Sequence, residues 1–159
     1  MHIVERAVEI AAPPAALFAL TQDYYLRREW DPFVREMRFR DGATDPAPGV
    51  RVWVRAWNGL SMEVEYVSVQ PPHRVAIKLV RGPFLFETFA GSWLFQPGDG
   101  GRTRVVFRYS FTTQWPRLRP LLDRVIAAVF SRDIAARLRG LKRAAERTDL
   151  LKRIAAPST

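Results

Sequence analysis

The chain contains no cysteine, which removes disulfides, thiolate nucleophiles and cysteine metal sites at once. Histidine is nearly as scarce: His2 and His73 are the only two among 159 residues, too few for a histidine-rich metal centre. Lysine occurs three times against twenty-two arginines, so the positive charge is almost wholly guanidinium. Long apolar runs are missing as well. The longest in the helical part, Val125 to Phe130, has six residues, against the roughly 20 needed to span a bilayer. Glu5 and Arg6 stand where a signal peptide needs an apolar stretch. No glycine-rich phosphate loop and no serine–histidine triad is present. These exclusions lead to the expectation of a soluble, cytoplasmic domain with no metal and no cofactor.

What is present suits one folded unit. The composition is 48% hydrophobic, 12% aromatic and 26% charged, in a chain of ordinary domain length. The net charge of +9 is unevenly placed. Residues 116–159 hold eleven Lys or Arg against four acids, whereas the first 115 hold fourteen against twelve. Basicity therefore belongs to the C-terminal segment. Such a segment reads either as a solvated helix face or as a surface for anionic membrane or nucleic acid.

The order of elements follows from hydrophobic alternation and turn chemistry. Ile3 to Ile10 reads as a strand, ended by Ala11-Ala12-Pro13-Pro14, where proline suits the first turn of a helix. Two short helices are predicted, Pro14 to Leu20 and a second through about Glu29, closed by Pro32. Six further strands follow: Val34–Asp41, Val50–Ala56, Leu60–Gln70, Arg74–Val80, Phe84–Phe95 and Thr103–Thr113. A long helix from about Pro116 to Thr148 finishes a single domain over residues 1–148, and residues 149–159 read as a tail.

Two hairpins can be registered from the pattern alone. A three-residue loop, Trp57-Asn58-Gly59, with Gly59 in the left-handed region pairs Val54 with Met62 and Val52 with Val64 on one face. Trp53 then faces Glu63, and Arg51 faces Glu65, on the other. A two-residue loop would mix apolar and charged side chains on both faces, because a one-residue slip turns every side chain over. The last hairpin pairs Phe95 with Val105, Trp93 with Phe107, Gly91 with Tyr109 and Phe89 with Phe111, giving one strongly aromatic face. In the long helix Leu118, Leu122, Ile126, Phe130, Ile134 and Leu138 recur every fourth residue, a broad slanted stripe suited to lying across a sheet.

These elements, and particular residues within them, resemble the polyketide cyclase/dehydrase type of the START-like (SRPBCC) superfamily. The residues are Val8-Glu9-Ile10-Ala11-Ala12-Pro13 running into Leu17-Phe18, Asp23, Trp30-Asp31-Pro32-Phe33-Val34, Pro71-Pro72-His73-Arg74 and Gly100-Gly101-Arg102-Thr103. The resemblance covers nearly the whole chain. It implies an α+β helix-grip fold: a curved antiparallel seven-stranded sheet around a long C-terminal helix, with two short helices after the first strand. It also implies an apolar cavity between sheet and helix. Matching positions on the cavity face are Met37, Phe39, Val52, Val54, Met62, Val64, Tyr66, Ile77, Phe89, Trp93, Phe107, Tyr109 and Phe111. Leu122, Ile126 and Phe130 would form the helical wall, with Trp30 and Phe33 near an entrance.

Polar candidates are few. On the register above Glu87 shares the face of Ile77, Phe89 and Trp93, where an unpaired carboxylate is costly to bury. It reads as a general base or ligand anchor, with Arg6 as a partner, or as a residue turned outward at a sheet edge or bulge. Tyr66 and Tyr109 offer phenols to the same cavity, or sit at its rim. His73 reads as a turn residue, and Asp23 and Asp31 as caps or turns.

Three functions remain open. The first is binding, and with it transport or sequestration, of a small-to-medium hydrophobic ligand. The second is a cyclase or dehydratase acting in the same cavity with Glu87, Tyr66 or Tyr109 turned inward. The third is binding to an anionic surface or nucleic acid through the arginine-rich helix. Nucleic acid is the least expected partner, because the aromatics fall on the predicted inner face and do not interleave with arginines. On the outer face Trp53 either stacks under an arginine, leaving a monomer, or anchors a homodimer.

Overall fold

A computed structural model describes residues 1–155. The strands are β1 (His2–Ile10), β2 (Val34–Phe39), β3 (Arg51–Ala56), β4 (Ser61–Gln70), β5 (Arg74–Arg81), β6 (Phe86–Pro97) and β7 (Thr103–Thr113). They form one antiparallel open sheet in the order β1-β7-β6-β5-β4-β3-β2. Helices α1 (Pro14–Gln22) and α2 (Tyr24–Trp30) connect β1 to β2, spanning the sheet from one edge strand to the other. The long helix α3 (Arg119–Arg147) packs on β1 and β7. The α+β helix-grip architecture expected from the sequence is the one observed.

Both hairpin registers are as the pattern dictates. Val54 lies opposite Met62, Val52 opposite Val64 and Trp53 opposite Glu63. Gly59 takes a φ of 86° in the loop, a value that favours glycine, so the bulged turn keeps the valines on the inner face. In the other hairpin Trp93 pairs with Phe107, and Gly91 with Tyr109. On the outer face Trp53 carries the guanidinium of Arg38 from the neighbouring strand β2, 5.5 Å from its ring centroid. The stacking partner is thus an arginine of the neighbouring strand.

Two boundaries differ from expectation. Helix α3 begins at Arg119, so Leu118 precedes it and is exposed. Part of the expected tail is helical: α4 (Leu150–Ala155) buries Leu150 and packs on α1 and α3. Arg153 adds an ion pair to Glu29 at 2.9 Å. Leu150, Leu151 and Ile154 supply an apolar side that the sequence reading passed over because it is so short. The last four residues of that tail lie outside the described residues.

Candidate functional site

Between the inner face of the sheet and α3 lies a cavity of about 310 Å³. That is near the lower end of the ~300–1,000 Å³ usual for small-molecule sites, and room for about ten water molecules. Its walls are largely apolar: Val54, Met62, Val64, Val75, Ile77 and Leu79 from β3 to β5, Phe89, Trp93 and Phe107 from β6 and β7, and Ile126 and Phe130 from α3. Gly91 has a structural reason. A Cβ there would stand 3.3 Å from the Tyr109 ring, so its absence lets that ring lie against β6.

The mouth is marked by apolar side chains that stay in water. Trp57 (59%) and Leu60 (54%) at the β3–β4 turn and Val125 (55%) and Val129 (52%) on α3 all line the cavity while more than half exposed. Pro83 and Leu85 complete the rim from the β5–β6 connection.

Away from these residues the wall becomes polar. Asp31, fully enclosed at the end of α2, accepts from Arg27 Nε at 2.8 Å and from Arg137 Nε and Nη2 at 3.1 and 2.9 Å, all through Oδ2. Its other oxygen takes the Phe33 backbone N–H at 3.0 Å. Arg27 also donates to the Thr21 carbonyl, and Arg137 to the Tyr109 hydroxyl. Aromatic rings cover the guanidinium faces: Arg137 lies 4.8 Å from the Phe33 centroid and 4.7 Å from that of Phe107, and Arg27 lies 5.0 Å from that of Trp30. Burial alone would raise the Asp31 carboxyl, but the charges of Arg137 and Arg27 outweigh it and hold it below the usual carboxylate range.

A second polar group adjoins the first. Tyr66 donates to Gln22 Oε1 at 2.9 Å and shares a short hydroxyl–hydroxyl contact with Tyr24, whose ring stacks on Phe39. Burial pushes the phenols of Tyr24, Tyr66 and Tyr109 up, so all three are neutral hydrogen-bonding groups. Asp133, one turn before Arg137 on α3, also lines the cavity, and partial burial pushes its carboxyl up.

The structure brings most of the expected residues together. Phe33, Met37, Val54, Met62, Val64, Tyr66, Ile77, Phe89, Trp93, Phe107, Tyr109, Ile126 and Phe130 all line the cavity. Six do not. Glu87 is solvent-exposed and pairs with Arg119 at 3.3 Å, because a bulge between Phe86 and Thr88 turns it outward. Its expected partner Arg6 instead donates to Ser131 Oγ at 2.9 Å. Phe39 is held beside the cavity by Tyr24, and Phe111 is sealed beneath Phe86 and Phe130. Val52 and Leu122 pack into the surrounding core. Trp30, expected at an entrance, is buried edge-on against Trp93, with its indole N–H unpartnered among the described residues.

The Arg27–Asp31–Arg137 cluster was missed by sequence reasoning, which took Asp31 for a cap or turn residue. Two signals pointed to it. Arg27 on the short helix α2 and Asp31 just past its end are four apart. Arg137 lies three residues after Ile134 and four before Leu141, inside the apolar stripe, whereas Arg124, Arg132, Arg139 and Arg143 are exposed.

The family described as polyketide cyclase / dehydrase and lipid transport matches residues 1–146. Solved structures share the fold at low sequence identity. The Zhui aromatase/cyclase of Streptomyces sp. R1128 superposes with a TM-score of 0.77 at 19% identity, over 92% of this chain and 94% of that one. A protein of Thermus thermophilus gives 0.74 at 19%, over 98% and 100%. A START superfamily protein of Mycobacterium smegmatis gives 0.71 at 15%, over 89% and 97%. No curated protein matches the chain by sequence. Among the described residues no helix is long and apolar enough to cross a membrane.

Proposed function

The chain belongs to the polyketide cyclase / dehydrase and lipid transport family, and from that premise we propose that it binds a small hydrophobic ligand between the sheet and α3. The observation that carries this reading is the cavity of about 310 Å³, apolar over most of its wall and reaching exposed apolar residues at its rim. Transferring apolar ligand surface from water into such a space is favourable at about 25 cal/mol per Å² before the losses of association are subtracted. A cytoplasmic setting and a monomeric or homodimeric state belong to the same proposal.

The test is titration with the neutral apolar fluorophore N-phenyl-1-naphthylamine. Saturable one-to-one binding is expected, abolished or strongly weakened by Ile77→Trp, which fills the cavity from β5. Absence of saturable binding to the folded protein, or binding that ignores the filling substitution, overturns the reading.

A cyclase or dehydratase reading is favoured by one observation, the placement of Tyr109, Arg137 and Asp133 together on the cavity wall. Hydrogen-bond donors there would polarise a ketone, and the enclosure would restrict a reactive chain to few conformations. Mass spectrometry of a poly-β-ketone thioester incubated with the protein tests it. Loss of water dependent on Tyr109 is the expected outcome, and an unchanged substrate counts against it.

A further inference from the structure

We infer that the hydrophobic ligand carries a single carboxylate head, and that this head docks on the Arg27–Asp31–Arg137 cluster while the tail fills the apolar cavity. The inference rests on the ligand-binding reading above and adds the chemical class of the ligand.

The argument begins from charge. Two guanidiniums and one carboxylate share an enclosed site, so the cluster carries one more positive than negative charge. Asp31 is already engaged at both oxygens. Oδ2 already accepts three guanidinium N–H bonds, and Oδ1 is taken by the Phe33 backbone. Each guanidinium carries five N–H donors, of which Arg27 uses two in the bonds above and Arg137 three. Both side chains line the cavity. Their faces are covered by Trp30, Phe33 and Phe107, so recognition is left to the edges, where N–H donors project. A planar carboxylate fits such edges with paired, charge-assisted hydrogen bonds.

The acid that lines the cavity, Asp133, sets the sign of a test. Asp133 stands one helical turn from Arg137 and faces the same cavity. Its negative charge would oppose an incoming carboxylate and leave an uncharged head almost indifferent. Removing that charge should therefore strengthen binding of an acid selectively. Asp133 is half-buried and outside the Asp31 bonding network, so its replacement leaves the fold's central ion pairs in place.

Displacement of N-phenyl-1-naphthylamine by decanoate and by 1-decanol at pH 7.5 separates the possibilities, since the two share a tail and differ in the head. Decanoate is expected to bind about tenfold more tightly than the alcohol. Asp133→Asn should widen that ratio, and Arg137→Gln, if it folds, should abolish it. Equal affinity for acid and alcohol, or a ratio unmoved by Asp133→Asn, overturns the carboxylate assignment while leaving the hydrophobic-ligand reading standing. Failure of fluorophore, alcohol and acid alike overturns both.

Discussion

Asp31 and Arg137, 106 residues apart in sequence, meet in the protein interior through one carboxylate oxygen, which accepts from both Nε and Nη2 of the arginine. The contact ties the end of α2 to the middle of α3 and so fixes the long helix over the sheet. Breaking a buried pair by removing one partner strands the other in a low-dielectric site, at about 3–5 kcal/mol. Arg137→Met should lower unfolding free energy by that order, and Asp31→Asn should do likewise by leaving two guanidiniums facing a neutral amide. Urea unfolding followed by tryptophan fluorescence reads both. A loss below about 1 kcal/mol would show that the cluster behaves like a hydrated surface pair.

The same ion pairs predict how stability responds to acid. The Asp31 carboxyl is held below the usual range in the folded protein and returns to about 3.9 when unfolded. The unfolded state therefore takes up the proton first, and the stabilisation present above that value is lost as pH falls below it. Asp133 works in the opposite direction, because burial pushes its folded carboxyl up and protonation favours the native state. Unfolding curves between pH 3 and 7 should show a fall in stability toward acid that flattens in Asp31→Asn and steepens in Asp133→Asn. Parallel profiles for all three proteins would contradict both assignments.

Gly140 controls how closely α3 approaches α2. A Cβ at this position would lie 2.2 Å from the Trp30 carbonyl oxygen, and a backbone atom cannot swing aside as a flexible side chain can. Replacing glycine by alanine in a helix interior ordinarily stabilises by about 1 kcal/mol. Here the sign should reverse. Gly140→Ala should destabilise the fold and push α3 outward, loosening the bonds from Arg137, three residues earlier, to Asp31. Thermal unfolding checks the sign, and a gain in midpoint temperature would refute the close approach.

The sheet was legible in the sequence because its inner face is written in period-two alternation, which survives even through bulged turns. Val52, Val54, Met62 and Val64 could be paired by pattern alone, since only one register separates them from Arg51, Trp53, Glu63 and Glu65. The arginine cluster was harder to see. Among twenty-two arginines Arg27 does not stand out, Arg137 differs only by its place inside the apolar stripe, and their common partner Asp31 sits in a Trp-Asp-Pro turn. Nothing local says that the two segments meet. Their contact depends on Gly140 admitting the Trp30 carbonyl, a tertiary event with no periodic signature.

Glu87 shows the converse case, where alternation suggested an inward carboxylate and a bulge removed it. The shift between Phe86 and Thr88 lets Phe86 and Phe89 both face inward, with Phe86 5.8 Å from Phe130 and 5.6 Å from Phe89 between ring centroids. Glu87 is the residue left over, in water and paired with Arg119. Exposed pairs of this kind contribute little, from about zero to 1 kcal/mol. Glu87→Gln should therefore change stability by no more than about 0.5 kcal/mol and leave N-phenyl-1-naphthylamine affinity unaltered. Deleting Glu87 should be tolerated as well. Without the extra residue Phe86 and Thr88 become consecutive opposite Thr113 and Thr112, so the ladder runs regularly with Phe86 and Phe89 still facing inward. Retained folding and probe binding on deletion alongside silence on substitution is the expected pair of outcomes. A substantial loss of probe binding in Glu87→Gln would return the carboxylate to the cavity and remove the bulge from this account.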